Sequence, residues 1–298
     1  DRSDSIAEAA RPVLANDHPG FELLVIDQSC DGRTAAALEP FREDPRLRYI
    51  PTPSRGLGRA RNIGIAEARS DLIAFTDDDC SVPPHWLRTM EEHFLHDPRI
   101  SVLFCNVIAG AHDATAGFIP GHRRHDRVVV NTFRGQCRQR GIGAGMAIRR
   151  APIRAMGGFD EALGVGGLFP SAEDTDIALR AIARGQWVCE THEVEVTHHG
   201  FRNWQEGRRL TARDWEGLGA AYMKLLRAGE LRAAVLWVYD LGVHCFLAPL
   251  QQVLRLQRPR GLARLFHFLK GGFRSLAVPV DRTQILYAPG RLEPQDRA

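Results

Sequence analysis

The sequence predicts an α/β fold: a Rossmann-like, mostly parallel mixed sheet flanked by helices, with a C-terminal helical extension. Three observations predict it. Short apolar runs over 21–26, 47–50, 72–75 and 100–108 alternate with helical patterns, the signature of strand–helix–strand units. Two of those runs stop at carboxylates, Asp27 after the first and Asp77-Asp78-Asp79 after the third. In such sheets ligands gather at the carboxyl ends of the strands, so these acids are expected in one crevice. From Trp204 onward the strand signals cease and long helical patterns take over.

Each element has its own justification. Residues 5–15 are Ala-rich and read as a helix, closed by Asn16-Asp17-His18-Pro19-Gly20. The strand over 21–26 is followed by a helix over 34–43 and a strand over 47–50. A helix over 58–68 is entered through Ser54-Arg55-Gly56-Leu57-Gly58. Pro83-Pro84-His85-Trp86 opens another helix that runs to His96, in which Trp86 reads as a core anchor. The stretch 109–139, rich in Arg and His, gives no clear assignment. A Gly-punctuated strand over 142–148, a short helix over 151–156 and a glycine-rich loop over 164–171 follow. Then come a helix over 172–184 beginning Glu173-Asp174-Thr175-Asp176, and a strand over 187–197 that runs into His198-His199-Gly200. Helices are expected over 204–227, 231–256 and 261–276. The domain reading is therefore an α/β domain over 1–203, a helical extension over 204–280, and an irregular tail over 281–298.

Bulk properties narrow the function. A chain of 298 residues, 44% hydrophobic and 25% charged, has the composition of a globular protein with a real core. A net charge of +3 is too small to argue for nucleic acid. Six cysteines (Cys30, Cys80, Cys105, Cys137, Cys189, Cys245) include no Cys-x-x-Cys pair. That argues against a zinc site and a disulfide scaffold, and fits a reducing cytosol. No signal peptide is recognisable in the first residues.

The chemistry concentrates in Leu72-Ile73-Ala74-Phe75-Thr76-Asp77-Asp78-Asp79-Cys80. Strand alternation would point Asp77 and Asp79 one way and Asp78 the other. Three adjacent negative charges repel one another, and a divalent cation would relieve that cost. Carboxylate oxygens at a strand end suit Mg2+ or Mn2+. A solvated acidic turn is the plainer alternative. Glu173-Asp174 at a helix start is also what capping by the helix dipole favours. A His pair after a strand is more often structural than ligating. Taken together, these residues make a metal site of oxygen ligands plus an imidazole, with a carboxylate base nearby.

Six segments in order then carry a resemblance. They are Leu24-Val25-Ile26-Asp27-Gln28-Ser29-Cys30-Asp31-Gly32, Gly56-Leu57-Gly58-Arg59-Ala60-Arg61-Asn62-Ile63-Gly64 and Phe75-Thr76-Asp77-Asp78-Asp79. Then follow Gly143-Ala144-Gly145-Met146 with Gly157-Gly158-Phe159-Asp160, then Glu173-Asp174-Thr175-Asp176, and last Val196-Thr197-His198-His199-Gly200. Over 21–200 the chain resembles the inverting family 2 glycosyltransferases of the GT-A fold. The resemblance implies sugar transfer from a nucleotide-diphosphate sugar donor to a glycan or lipid-linked acceptor, with Mn2+ or Mg2+ as cofactor, in polysaccharide biosynthesis at the cell envelope. It implies that Asp27, with Ser29 beside it, meets the base and that Arg61 holds the nucleotide near its phosphates. Asp77 and Asp78 would contact the donor, Asp77 and Asp79 the metal. Asp174, beside Glu173, would be the general base. His198 is the preferred histidine ligand and His199 the second choice.

Two departures stand out. The family opens with an apolar strand lying beside the Asp27 strand, and here the chain enters directly at the first helix. Gln28 stands where the family commonly has a further Asp. In the extension, Arg255, Arg258, Arg260, Arg264, Lys270 and Arg274 interleave with Leu262, Leu265, Phe266, Phe268 and Leu269. That pattern suits a basic amphipathic helix on the inner face of an anionic membrane, or a helical subdomain packed on the core or in a homodimer. Residues 233–254 have the length of a membrane span, but Asp240, His244, Pro249, Gln251 and Gln252 interrupt it. Rival readings are a phosphotransferase using the aspartates as nucleophile, which lacks its supporting lysine here, and a catalytically inactive GT-A scaffold that binds a sugar or partner.

Overall fold

The computed structural model describes residues 3–29, 31–256 and 261–288. The Ala-rich start forms α1 (Ser3–Leu14). It packs its Ala10 against Val25 of β1 (Leu23–Asp27) and Leu38 of α2 (Arg33–Leu38). β1 pairs in parallel with β2 (Leu47–Pro51), Asp27 opposite Pro51. α3 (Leu57–Glu67) then leads to β3 (Leu72–Phe75), the two-residue β4 (Cys80–Ser81) and α4 (Trp86–His96). Trp86 is 1% exposed and anchors the core. β5 (Ile100–Ala109) is buried from Ile100 through Val107, as a near-continuous apolar run covered on both faces must be.

The unassigned stretch resolves into β6 (Gly117–Phe118), β7 (Val128–Val130) and α5 (Phe133–Gln136), the last capped by the Thr132 hydroxyl, which accepts from Gly135 N. Such short pieces leave no readable period. β8 (Met146–Arg149), α6 (Arg150–Ala155), α7 (Glu173–Ala183), β9 (Trp187–His198) and β10 (Arg202–Asn203) complete the catalytic part. The main sheet has the order β3-β8-β5-β9-β4, with β7 on β9. β8 is antiparallel to both β3 and β5, and β5 is parallel to β9, so β3, β5 and β9 all run the same way. β1 and β3 are not paired with each other. Between them lies a cavity of about 350 Å3 lined by both strands and by α1, α3 and α4, including Leu23, Ile26, Ile73, Phe75, Ala60 and Phe94.

The extension consists of α8 (Trp204–Ala228), α9 (Ala234–Tyr239), α10 (Ala248–Leu254) and α11 (Gly261–Leu276). The single helix expected over 231–256 is instead helical with a π segment, Asp240–Leu247, between α9 and α10. Its first residue, Asp240, is buried and accepts hydrogen bonds from Arg140 (2.6 Å) and Tyr222 (2.8 Å). The extension shares the main core: Ala220, Tyr222, Leu225, Leu236 and Phe268 pack with Phe159, Ile177 and Phe169. Lys224 of α8 is fully buried and pairs with Asp160 (2.5 Å) and with Asp176 of α7 (2.7 Å). Removing one partner of such a buried pair costs about 3–5 kcal/mol, so α8 is bound into the catalytic part.

One expectation about this region needs correction. The tail read as irregular from 281 forms, to 287, a hairpin of β11 (Val280–Asp281) and β12 (Leu286–Tyr287). Tyr287 is buried and donates to Ala220 O at 2.8 Å. Residues 289–298, Cys30, Arg258 and Arg260 lie outside the described residues. In α11 two exposed cations are tied to the neighbouring helix. Lys270 (2.7 Å) and Arg274 both ion-pair with buried Glu216 of α8. The surface that α10 and α11 leave exposed includes the apolar side chains Leu250, Leu254, Leu262, Phe266 and Phe273 beside Gln251, Lys270 and Arg274. Among the described residues one helical stretch, Leu231–Leu254, is long and apolar enough to cross a membrane.

Candidate active site

Asp77, Asp78 and Asp79 do not lie in the strand. β3 stops at Phe75, and the acids occupy a turn in which Cys80 N donates to Asp77 O. Alternation therefore does not apply, and the turn sends the acids to different partners. β4 pairs with the end of β9, setting Cys80 opposite His198. The Asp79 carboxylate comes within 3.3 Å of His198 Nε2. His198 Nδ1 sits 2.8 Å from Pro120 O. That contact keeps Nδ1 protonated and aims Nε2 at Asp79; Nε2–H donates to the Asp79 carboxylate, and a cation seated between them would take the place of that proton and use the Nε2 lone pair. Burial lowers the His198 pKa, but its hydrogen bonds to Asp79 and Pro120 outweigh that and raise it. His199 points elsewhere, its Nε2 3.0 Å from Ser81 Oγ.

This pair fits a divalent cation. A carboxylate oxygen suits Mn2+ or Mg2+, and an imidazole nitrogen beside it favours the softer Mn2+ of the two. Gly200 keeps the space beside them open, since a Cβ there would lie 2.6 Å from both Asp79 Oδ2 and His198 Nε2. Cys80 Sγ is the third potential ligand atom of the group. Burial pushes its thiol up to about 12, and it packs in the apolar core.

Asp77 bridges to the other end of the cleft. Its carboxylate is 4.0 Å from Arg61 Nη2, and Arg61 Nη1 donates to Glu173 Oε1 at 3.0 Å. Arg61 is buried, with its guanidinium over the Phe159 ring at 5.3 Å. The neighbouring Asn62 works differently. It accepts from Phe159 N (2.7 Å) and donates to Phe159 O (3.0 Å), tying α3 to the turn through Gly157 and Gly158. Both of those glycines have positive φ, 83° and 75°, which a residue with a Cβ rarely adopts. Glu173 and Asp174 open α7, where the dipole favours carboxylates. Asp174 Oδ2 accepts from Gly143 N (2.9 Å), its Oδ1 from Thr175 N (2.6 Å). Burial first, then the Asp174 charge, push the Glu173 carboxyl up to about 7 against the pull of Arg61.

At the end of β1, Asp27 is buried and accepts from Ser29 N (2.8 Å), Ser29 Oγ (3.0 Å) and Tyr49 OH (2.8 Å). Burial raises its pKa, but these bonds prevail and lower it. Gln28 donates to Ser54 Oγ (3.0 Å) and Gly56 O (3.1 Å), fastening this strand end to the entry of α3.

A cavity of about 170 Å3 joins Arg61, Asp77, Gly143, Glu173 and Asp174. Its remaining wall includes Leu210, Arg213 and Asp214 of α8, which the sequence reading did not single out. Nothing in the local sequence marks them, because mid-helix Arg and Asp residues read as a solvated face.

The sheet order, with β8 inverted among parallel strands, and acids at the strand ends define a glycosyltransferase of the GT-A class. Residues 1–151, half of the chain, match the model of glycosyl transferase family 2. The chain belongs to that family and is a glycosyltransferase. A glucosyl-dolichyl phosphate glucuronosyltransferase of Haloferax volcanii is 22% identical over 242 residues, covering 76% of this chain and 74% of the relative. The succinoglycan biosynthesis protein ExoO of Rhizobium meliloti is 40% identical over 91 residues, 30% of this chain and 26% of that one. Among solved structures, S. aureus TarS 1-349 superposes with a TM-score of 0.62 at 14% identity, over 91% of this chain and 77% of that one. The mannosyltransferase PcManGT of Pyrobaculum calidifontis, in complex with GDP-Man and Mn2+, gives 0.61 at 18% identity, over 92% and 84%.

Proposed function

We propose that this glycosyltransferase moves a sugar from a nucleotide-diphosphate donor to a hydroxyl of a glycan or lipid-linked acceptor, inverting the anomeric carbon. Asp174 is the general base, and a divalent cation, Mn2+ or Mg2+, is held by Asp79 and His198 with Asp77 beside them. The observation that carries this reading is one continuous line of contacts. It runs from the Asp79–His198 pair through the acid turn to Asp77, Arg61, Glu173 and the Asp174 cavity.

When bound, the cation neutralises the charge of the departing nucleoside diphosphate. The protein's own residues do the rest. Asp27 and Ser29 hold the base, and Asp77 and Asp78 meet the donor. Arg61 supplies a rigid two-pronged cation on the phosphate side. Asp174, oriented by Gly143 N, takes the proton from the attacking hydroxyl. The attack comes from the face opposite the leaving group, which inverts the configuration.

Relatives support the donor and acceptor classes. One neighbouring structure holds GDP-Man and Mn2+, another UDP-GlcNAc, and the Haloferax relative is named for a sugar on a lipid phosphate. The exposed apolar faces of α10 and α11 support peripheral contact with the cytoplasmic face of a membrane. Leu250→Glu with Phe266→Glu should cut liposome co-sedimentation several-fold; equal pelleting would remove the membrane contact. The transfer reading is tested by donor hydrolysis with UDP-, GDP- and dTDP-sugars, with Mn2+ or with EDTA. Hydrolysis of one donor only with metal is expected. Unchanged hydrolysis in EDTA would overturn the metal role.

A further inference from the structure

The wall of the Asp174 cavity contributed by α8 has its own chemistry. Asp214 accepts from Ser171 Oγ at 2.8 Å through Oδ1, and among the described residues its Oδ2 has no hydrogen-bond partner. Gly217, one turn further along the helix, makes this contact possible. A Cβ there would lie 2.5 Å from Ser171 O, so only a glycine lets the end of the 164–171 loop approach α8 this closely. Arg213 Nη2 donates to Pro170 O at 3.0 Å and closes the same junction from the other side. Apolar side chains of Leu57, Ile142, Val165 and Leu210 line the remaining wall. One side of the cavity is therefore a hydroxyl-accepting carboxylate, and the rest offers apolar surface. A pyranose has the complementary make-up, with hydroxyls at its rim and C–H groups on its faces.

We propose that Asp214 is the specificity-determining carboxylate of a pyranoside acceptor subsite, accepting hydroxyl hydrogen bonds from the sugar ring whose attacking hydroxyl faces Asp174. This rests on the transferase reading above. Ser171 and Gly217 set the position of Asp214, and Leu210 meets the apolar face of the ring. Burial, and then the charge of Asp174, raise the Asp214 pKa, which agrees with a carboxyl facing into the cleft beside a second acid. Asp214 is not the base: its bonds fix the acceptor ring, and proton transfer stays with Asp174.

Saturation-transfer NMR on the full chain tests this, in the presence of Mn2+ and of whichever of UDP or GDP binds. The probes are methyl β-D-glucopyranoside, methyl β-D-galactopyranoside, methyl α-D-mannopyranoside and methyl N-acetyl-β-D-glucosaminide. The expected result is saturation of at least one glycoside by the wild type and at least tenfold weaker binding in Asp214→Asn. Ser171→Ala should weaken binding less, Asp214→Glu should recover part of it, and nucleoside diphosphate affinity should stay within twofold throughout. Unaltered nucleotide affinity also reports that the variants are folded. Equal glycoside binding by Asp214→Asn, or no glycoside binding by nucleotide-loaded wild type, overturns the subsite. Failure of the wild type to bind either nucleotide with Mn2+ overturns the transferase reading itself, and the subsite with it.

Discussion

The two ends of the cleft both present carboxylates, but they are held by different means. At the cation end, Asp79 and His198 come together because β4 and β9 pair, with Cys80 opposite His198. Their spacing is set by a backbone ladder. At the base end, Glu173 and Asp174 begin a helix, and side chains and one loop amide set their positions: Arg61 on Glu173, Gly143 N on Asp174. A pair fixed by a strand ladder, with His198 on β9 and Asp79 in the turn just before β4, is a rigid seat for the proposed ion. A buried carboxylate restrained by one guanidinium is a titrating group. The first end should therefore be the more sensitive to changes of space, while at the second a buried acid adds a response to pH.

The largest expected effect separates the ends by what each variant retains. Asp79→Ala and Asp174→Asn should each lower transfer by about 10²–10⁴-fold, the range for loss of a general base. Asp79→Ala should also lose metal-dependent affinity for the nucleoside diphosphate, whereas Asp174→Asn should keep it. Steady-state kinetics with calorimetric titration reads both. Wild-type rates in Asp174→Asn would remove it as the base, and undiminished nucleotide affinity in Asp79→Ala would remove the cation from that end.

A smaller change sharpens the contrast. Gly200→Ala places a methyl group 2.6 Å from Asp79 Oδ2 and His198 Nε2, so Mn2+ should bind about tenfold more weakly, roughly 1.4 kcal/mol. Electron paramagnetic resonance of free Mn2+ during titration measures this. Unaltered Mn2+ affinity would show that the cation sits elsewhere.

The base end should report itself through pH. Glu173 has its carboxyl raised from 4.5 to about 7 in the folded protein. A raised carboxyl favours the folded state below the unfolded pKa, and that contribution is lost as pH rises through about 7. The loss is on the order of 2–3 kcal/mol between pH 4.5 and 7. Urea unfolding at pH 5 and pH 7.5 should show this decline in the wild type and a flatter profile in Glu173→Gln. An equal decline in both would place the titration on another group.

How much of this was legible depended on whether the cause was local. Asp79, His198 and Asp174 each stand in a segment with an ordinary structural explanation, and it is their joint occurrence in family order that made them candidates without a structure. The preference for His198 over His199 came with the family resemblance; the β4–β9 register, which the sequence does not carry, is what sets His198 beside Asp79. Asp214 was invisible because its role comes from Ser171, 43 positions away, meeting α8 beside Gly217. Reading the acids as a continuation of β3 failed because the turn at Asp77–Cys80 interrupts the period. The hairpin at 280–287 was missed because two-residue strands have no alternation to detect. The ion pairs of Lys270 and Arg274 with Glu216, 54 and 58 positions away, are likewise set by packing that no local pattern records.

The central claim is that one cleft joins a cation seat on strands to a base on a helix. Anomalous diffraction from a crystal soaked with MnCl2 and a nucleoside diphosphate tests it most directly. The account predicts one manganese peak about 2.1 Å from both an Asp79 oxygen and His198 Nε2, with the diphosphate running from it toward Arg61. A peak bound to other side chains, or a diphosphate lying away from Arg61 and Asp174, would contradict it.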